Sequence, residues 1–135
     1  MNKVKIWTDG GSRGNPGIAG AGGVVKDSTG KVLLEVSEYI GIQTNNYAEY
    51  KALYLTLVKA IEHGFFDAEV FMDSKLVVEQ LNGRWKVRTQ NIVPLYEDLI
   101  ALIPLFREIT FTHVYRTHNK EADALANKAM DSQKK

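Results

Sequence analysis

Apolar and polar residues alternate over residues 3–9, and this period of two predicts a strand that ends in Asp9. Small and β-branched residues from Ala19 to Lys26 predict a second strand, Asp27-Ser28-Thr29-Gly30 a turn, and Lys31 to Ile40 a third strand. Between the first two strands, Thr8 to Gly17 holds four glycines and a proline and reads as a glycine-rich turn. The period then changes to that of a helix running to about Glu62 and closed by His63-Gly64. Asn46 and Glu49 have the spacing of a capping box at its start. Ala48, Ala52 and Leu55 form one stripe of this helix, with Leu53 and Leu57 beside it.

Further along, Asp67 to Met72 predicts a short strand ending in Asp73, and Ser74 to Leu81 a short helix stopped by Asn82-Gly83. Residues 92–103 have helical periodicity, with Pro94 in the first turn and Pro104 at the end. Glu108 to Tyr115 is rich in β-formers, and a last helix starts near Asn119 and runs through Ala122, Leu125, Ala126 and Ala129. The order β-β-β-α-β-α-α-β-α implies an α/β fold, a five-stranded mixed sheet with helices on both faces. The expected organisation is one domain over residues 1–130, with 131–135 as a frayed polar tail.

Composition narrows the chemistry. A chain of 135 residues, 44% apolar and 24% charged, suits a single domain able to bury roughly two-thirds of its unfolded surface. The absence of cysteine removes disulfides, thiolate zinc sites and thiol nucleophiles, so a bound metal would be held by oxygen or imidazole. No apolar run approaches membrane-spanning length, and the strand pattern starts too early for a signal segment, so the expectation is a cytoplasmic protein. A formal charge of +1 argues against gripping nucleic acid by bulk electrostatics, although Arg84-Trp85-Lys86-Val87-Arg88 is a local basic run with an aromatic in it.

The Thr8–Gly17 stretch admits three readings: a simple turn, a phosphate-cradling loop, or the point where a metal-binding carboxylate leaves its strand. A dinucleotide loop must run straight into a helix, whereas these glycines run into another strand. Asp9 and Asp73 each end a predicted strand, while Glu49 and Asp123 sit near helix starts. With the first and fourth strands parallel neighbours, all four acids would meet at one sheet edge, a set suited to Mg²⁺ or Mn²⁺. Each acid also has an ordinary structural role open to it, as turn opener, helix cap or dipole partner.

Five segments together resemble the type 1 ribonucleases H. These are Thr8-Asp9-Gly10-Gly11-Ser12 with Gly14-Asn15-Pro16-Gly17, Thr44 to Glu49, Asp73-Ser74, Asn82 to Lys86, and His118 to Asn127. The resemblance covers nearly the whole chain. It implies a metal-dependent endonuclease that hydrolyses the RNA strand of RNA/DNA hybrids to 5′-phosphomonoesters, using two Mg²⁺ or Mn²⁺ ions held by Asp9, Glu49, Asp73 and Asp123. His118 matches the position ahead of the last acid where some members carry a catalytic histidine, on a loop that is short here. His63 and His113 read as structural. Gly11, Ser12, Asn15, Asn45 and Asn46 are candidates for minor-groove contacts, Thr44 and Lys75 for phosphate, and Trp85 with Arg84, Lys86 and Arg88 for the DNA strand. The expected partner is the hybrid alone, with no membrane and a monomeric protein. Alternatives are a relative that also cuts double-stranded RNA, a fragment of a reverse-transcriptase-like protein, and a non-catalytic hybrid-binding module. Only a short link joins Arg88 to Pro94 where many relatives insert a basic helix, and no hybrid-binding domain precedes Met1, so loose, salt-sensitive binding is expected.

Overall fold

A computed structural model describes residues 3–133. Strands β1 (Val4–Gly14), β2 (Gly17–Lys26) and β3 (Val32–Gln43) form an antiparallel meander, followed by helix α1 (Asn45–Glu62) and strand β4 (Asp67–Met72). Helices α2 (Lys75–Leu81) and α3 (Val93–Leu102) come next, then a 3₁₀ turn at Ile103–Leu105, strand β5 (Glu108–His113), a second 3₁₀ turn at Arg116–His118, and helix α4 (Lys120–Asp131). The sheet order is β3-β2-β1-β4-β5, with β1 parallel to β4 and β4 parallel to β5. The element order, the mixed sheet and the parallel pairing of first and fourth strands are those expected from the sequence.

The glycine-rich turn is not as expected. The β1–β2 ladder continues through Gly10↔Ala21, Gly11↔Gly20 and Ser12↔Ala19 to Gly14↔Gly17, and the reversal is confined to the cis Asn15–Pro16 peptide. These glycines are strand residues because helices press on the backbone. A Cβ at Gly10 would meet the Ala48 carbonyl carbon of α1 at 2.1 Å, and one at Gly22 would meet the Ala122 oxygen of α4 at 2.2 Å. Gly10 and Gly11 point to opposite faces, toward Ala48 of α1 and Met130 of α4 respectively, which puts the two helices on opposite sides of the sheet.

The predicted stripe on α1 is also revised. Ala48, Ala52 and Thr56 are buried at four-residue spacing, and Leu55 is only half-buried. The reason is space: a Cβ at Gly23 would lie 2.0 Å from Thr56 Oγ1, so a leucine has no room against this part of the sheet. A second stripe, Tyr50, Leu53, Leu57 and Ala60, packs with Ile6, Val70, Met72, Val77 and Leu99 into the main core between the sheet and α1, α2 and α3. On the opposite face the paired residues Trp7 and Phe71 stack with ring centroids 5.2 Å apart.

The start of α1 differs as well. Thr44 is its N-cap, with Oγ1 accepting from the Tyr47 N–H at 3.2 Å, so Asn46 and Glu49 do not form a capping box. Ser74 caps α2, and Gly64 and Gly83 take the left-handed conformations expected after α1 and α2. At the C-terminus α4 runs through Asp131, where fraying was expected, and positions 134–135 of the expected tail lie outside the described residues.

Candidate active site

Parallel pairing of β1 with β4 ends at Thr8↔Met72, so Asp9 and Asp73 are the next residues on adjacent strands and emerge at the same sheet edge. Glu49 reaches them from the first turns of α1, because Gly10 lets the Ala48–Glu49 backbone sit directly on β1. Carboxylate oxygens of Asp9, Glu49 and Asp73 lie within 4.8 Å of one another. Asp123, in the first turn of α4, approaches from the other face and lines the same cleft. The four acids line one cleft of about 430 Å³, together with Asn45 and Arg116.

Electrostatics at this edge are unfavourable without a cation. Asp9 is 6% exposed, and burial, the charge of Asp73 and the neighbouring Asp123 carboxyl push its pKa up from 3.8 to about 8. Burial, with the charges of Asp9 and Asp73, also raises Glu49, and the Gly10 N–H offsets this only in part. Glu49 Oε2 is enclosed and has no hydrogen-bond partner. An acceptor-only oxygen buried among like charges fits a hard divalent cation, which would satisfy it and lower all of these pKa values.

Asn119 fixes α4 to the strand bearing Asp9. It is 1% exposed, it is the N-cap residue of α4, and its Nδ2 donates to the Thr8 carbonyl at 2.9 Å. The same residue accepts the Asp123 N–H on its backbone oxygen at 3.1 Å. One residue, through its side chain and its backbone carbonyl, therefore links the strand of Asp9 to the helical turn of Asp123.

Other expected site residues fall into three groups. Gly11, Ser12 and Asn45 line the cleft of the carboxylates, and Asn15 is tied to them through Asn45. Ser12 N–H donates to Asn45 Oδ1 at 2.9 Å, Asn45 N–H to Asn15 Oδ1 at 3.1 Å, and the Ser12 hydroxyl to the Gln43 carbonyl at 2.7 Å. Backbone donors settle both amide orientations, leaving the Nδ2 atoms to face outward. Thr44 serves as the helix cap, and Asn46 and Lys75 are exposed. Trp85 is 46% exposed and Lys86 is exposed beside it, whereas Arg84 is held by both carboxylate oxygens of Glu79 at 2.6 and 3.0 Å.

His118 does not line the acidic cleft. It borders a neighbouring groove with Trp7, Lys26 and Lys120, while Arg116 faces the acids, 3.6 Å from Asp123 Oδ1. Arg116 was not foreseen, since nothing in the run Tyr115-Arg116-Thr117-His118 marks which basic side chain turns inward.

Comparison with known proteins places this geometry. A family model described as Reverse transcriptase-like matches residues 7–129. The Bifunctional protein Rv2228c of Mycobacterium tuberculosis is 50% identical over 131 residues, which is 96% of this chain and 36% of that protein. The chain thus spans about a third of the length of that relative. The structure of the N-terminal RNase H domain of Rv2228c, fused to maltose binding protein, has a TM-score of 0.94 and covers 98% of this chain and 96% of that one. Ribonuclease HI of Halobacterium salinarum is 41% identical over 129 residues, 96% of this chain and 65% of that protein. The crystal structure of RNase H1 from that archaeon has a TM-score of 0.93, covering 96% of this chain and 98% of that one. LC11-RNase H1, crystallised in complex with an RNA/DNA hybrid, is 39% identical with a TM-score of 0.89, covering 96% of this chain and 97% of that one. With 41% identity and a TM-score of 0.93 to an RNase H1 over nearly the whole of both chains, the chain belongs to the type 1 ribonuclease H family.

Proposed function

We propose that this chain is a divalent-cation-dependent endoribonuclease that hydrolyses the RNA strand of RNA/DNA hybrids and leaves 5′-phosphomonoesters. The observation that carries this reading is the convergence of Asp9, Glu49 and Asp73 within 4.8 Å, with an enclosed Glu49 oxygen that no protein group satisfies. Asp9, Glu49, Asp73 and Asp123 would hold two Mg²⁺ or Mn²⁺ ions, with Asp9, on its rigid strand, as the shared ligand. When bound, such ions lower the pKa of water and offset the charge that accumulates on a phosphate in an in-line displacement.

The chain's own residues supply positioning. Arg116 offers a cation at the rim of the cleft, beside Asp123, where a phosphate oxygen can dock. The outward Nδ2 atoms of Asn15 and Asn45 can donate to 2′-hydroxyls, and Gly11 permits close approach of the minor groove. Trp85 and Lys86 lie on the DNA-strand side of this scheme, with the exposed indole against a deoxyribose and the ammonium against a phosphate. Residues 1–130 would act as one catalytic domain, and nothing in the scheme requires a second copy. LC11-RNase H1, which shares the fold at 39% identity, was crystallised with a hybrid, and that supports the choice of substrate.

The test uses labelled RNA/DNA, RNA/RNA and DNA/DNA duplexes with Mg²⁺ or Mn²⁺, with and without chelator. Cleavage of the hybrid's RNA strand alone, abolished by chelator and by Asp73→Asn with hybrid binding retained, is the expected result. Chelator-resistant cleavage, or near-normal turnover by Asp73→Asn, would overturn the assignment.

A further inference from the structure

Tyr50 follows the proposed ligand Glu49 on α1, yet its side chain points away from the carboxylates and into the core. It is fully buried, and its hydroxyl donates to Gln80 Oε1 of α2. Gln80, 8% exposed, uses its Nε2 to donate to the Lys86 carbonyl at 3.1 Å. The amide orientation is dictated by chemistry, because the Lys86 oxygen can only accept and so must face the amide nitrogen. Each buried polar atom in this chain of contacts therefore has one complementary partner, and none can be exchanged without leaving another unsatisfied.

This contact lands on an unusual piece of backbone. From Asn82 to Ile92, between α2 and α3, the chain forms no regular element, and it carries the exposed Trp85 and Lys86. Its start is pinned by α2 through the Arg84 and Trp85 N–H groups, which both donate to the Glu79 carbonyl at 2.9 and 3.2 Å. The Gln80 amide adds the next tether at Lys86. Beyond it, Val87 packs half-buried against the core, and no hydrogen bond to the segment is found among the described residues until Thr89 accepts from Ile92 and Val93.

We infer that Tyr50 and Gln80 are positioning residues that hold the Trp85–Lys86 segment in register with the carboxylate cluster. They do so through a buried hydroxyl–amide–carbonyl relay from the helix that bears Glu49. This inference rests on the proposed role of Trp85 and Lys86 in gripping the DNA strand. Tyr50 and Gln80 touch no substrate. The relay makes the distance between the hybrid's two contact regions a property of the core, so that a duplex held at Trp85 presents a phosphate to Asp9 without a search. Loss of the relay frees Lys86 while leaving the carboxylates in place, and the cost falls on binding of the hybrid.

The experiment compares Tyr50→Phe, Gln80→Leu and Trp85→Ala with the wild-type chain. Each is assayed for hybrid KM, kcat at saturating hybrid, and the Mg²⁺ concentration giving half-maximal rate. Tyr50→Phe deletes a single oxygen and preserves packing, so it remains informative should Gln80→Leu fail to fold. Expected is a rise in KM of about three- to tenfold for both relay variants, of the size that loss of one positioned hydrogen bond produces. In both, kcat and the Mg²⁺ dependence stay within twofold. An unchanged KM in Tyr50→Phe, or a fall in kcat with a shifted Mg²⁺ dependence, would overturn the relay. Trp85→Ala separates the two layers: if it leaves KM unchanged, the DNA-strand reading of the segment fails; if it raises KM while the relay variants do not, the positioning inference alone fails.

Discussion

Removing the charge of Asp9 should make the metal-free protein more stable. Asp9→Asn keeps the shape of the side chain and abolishes a carboxyl whose pKa the fold raises from 3.8 to about 8. Because the folded value lies above the unfolded one, stability from this group is fully present below pH 3.8 and is lost as the pH climbs toward 8. At about 1.4 kcal/mol per unit, the loss between pH 3.8 and pH 7 is at most about 4 kcal/mol. Burial and the charge of Asp73 raise Asp9 and Glu49 together, and water entry softens the field, so about 2 kcal/mol is the expected gain for the variant at neutral pH. For 135 residues, with an unfolding entropy of about 2.1 cal/mol/K per residue, that corresponds to a melting temperature about 7 °C higher. Thermal unfolding in chelator from pH 5 to pH 8 measures it. The gap between variant and wild type should shrink toward pH 5, and Mg²⁺ should raise the wild-type midpoint more than that of the variant. A variant no more stable than wild type at pH 7.5, or a gap that widens as the pH falls, would refute the account of the cleft as a charge trap relieved by cations.

Other consequences can be measured directly. Gly10→Ala must displace the Ala48 backbone, 2.1 Å from the new Cβ, and should cost more than about 3 kcal/mol in urea unfolding or prevent soluble expression. Asn119→Ala strands the buried Thr8 carbonyl and should destabilise by about 1–3 kcal/mol; a change under about 0.5 kcal/mol would mean that the bond does not tie α4 to β1. Hybrid affinity should fall steeply between 50 and 200 mM salt, since phosphate contacts dominate such binding. A dissociation constant flat across that range would contradict the proposed use of Lys86 and Arg116.

The order of elements and two of the acids could be read from the chain because each is a local signal with a tertiary consequence. Alternation ends at Asp9 and at Asp73, and parallel pairing of those two strands is enough to bring the acids together. Glu49 was visible as an acid at a helix start, but its spacing from Asn46 is the same for a capping box as for a residue facing a sheet, and only the fold separates the two. Glycine is ambiguous in a similar way. A missing Cβ serves a positive φ or a close approach; within Gly10–Gly14 only Gly14 has the former, and Gly10 has the latter. Arg116 and His118 lie two residues apart in a 3₁₀ turn, hence two-thirds of a revolution apart, so a shift of boundary too small to see in sequence decides which one faces the acids. The relay through Tyr50 and Gln80 left no trace, since a buried tyrosine on an apolar stripe looks like any other core residue until its partner is known.

Four glycines set how closely the helices lie on this sheet. At Gly10 the α1 backbone rests on bare strand and at Gly23 the short Thr56 side chain does, while at Gly20 and Gly22 the α4 backbone rests on it from the opposite side. The thickness of the molecule at the carboxylates is therefore a stack of three backbones, whose separation is fixed by peptide dimensions rather than by how well side chains happen to fill a space. Elsewhere the layers are spaced by leucine, valine and tyrosine, and truncating one of these can let the layers settle. A protein built this way can drift in core composition and in stability over a wide range while the gap that Glu49 and Asp123 span from opposite faces stays the same width.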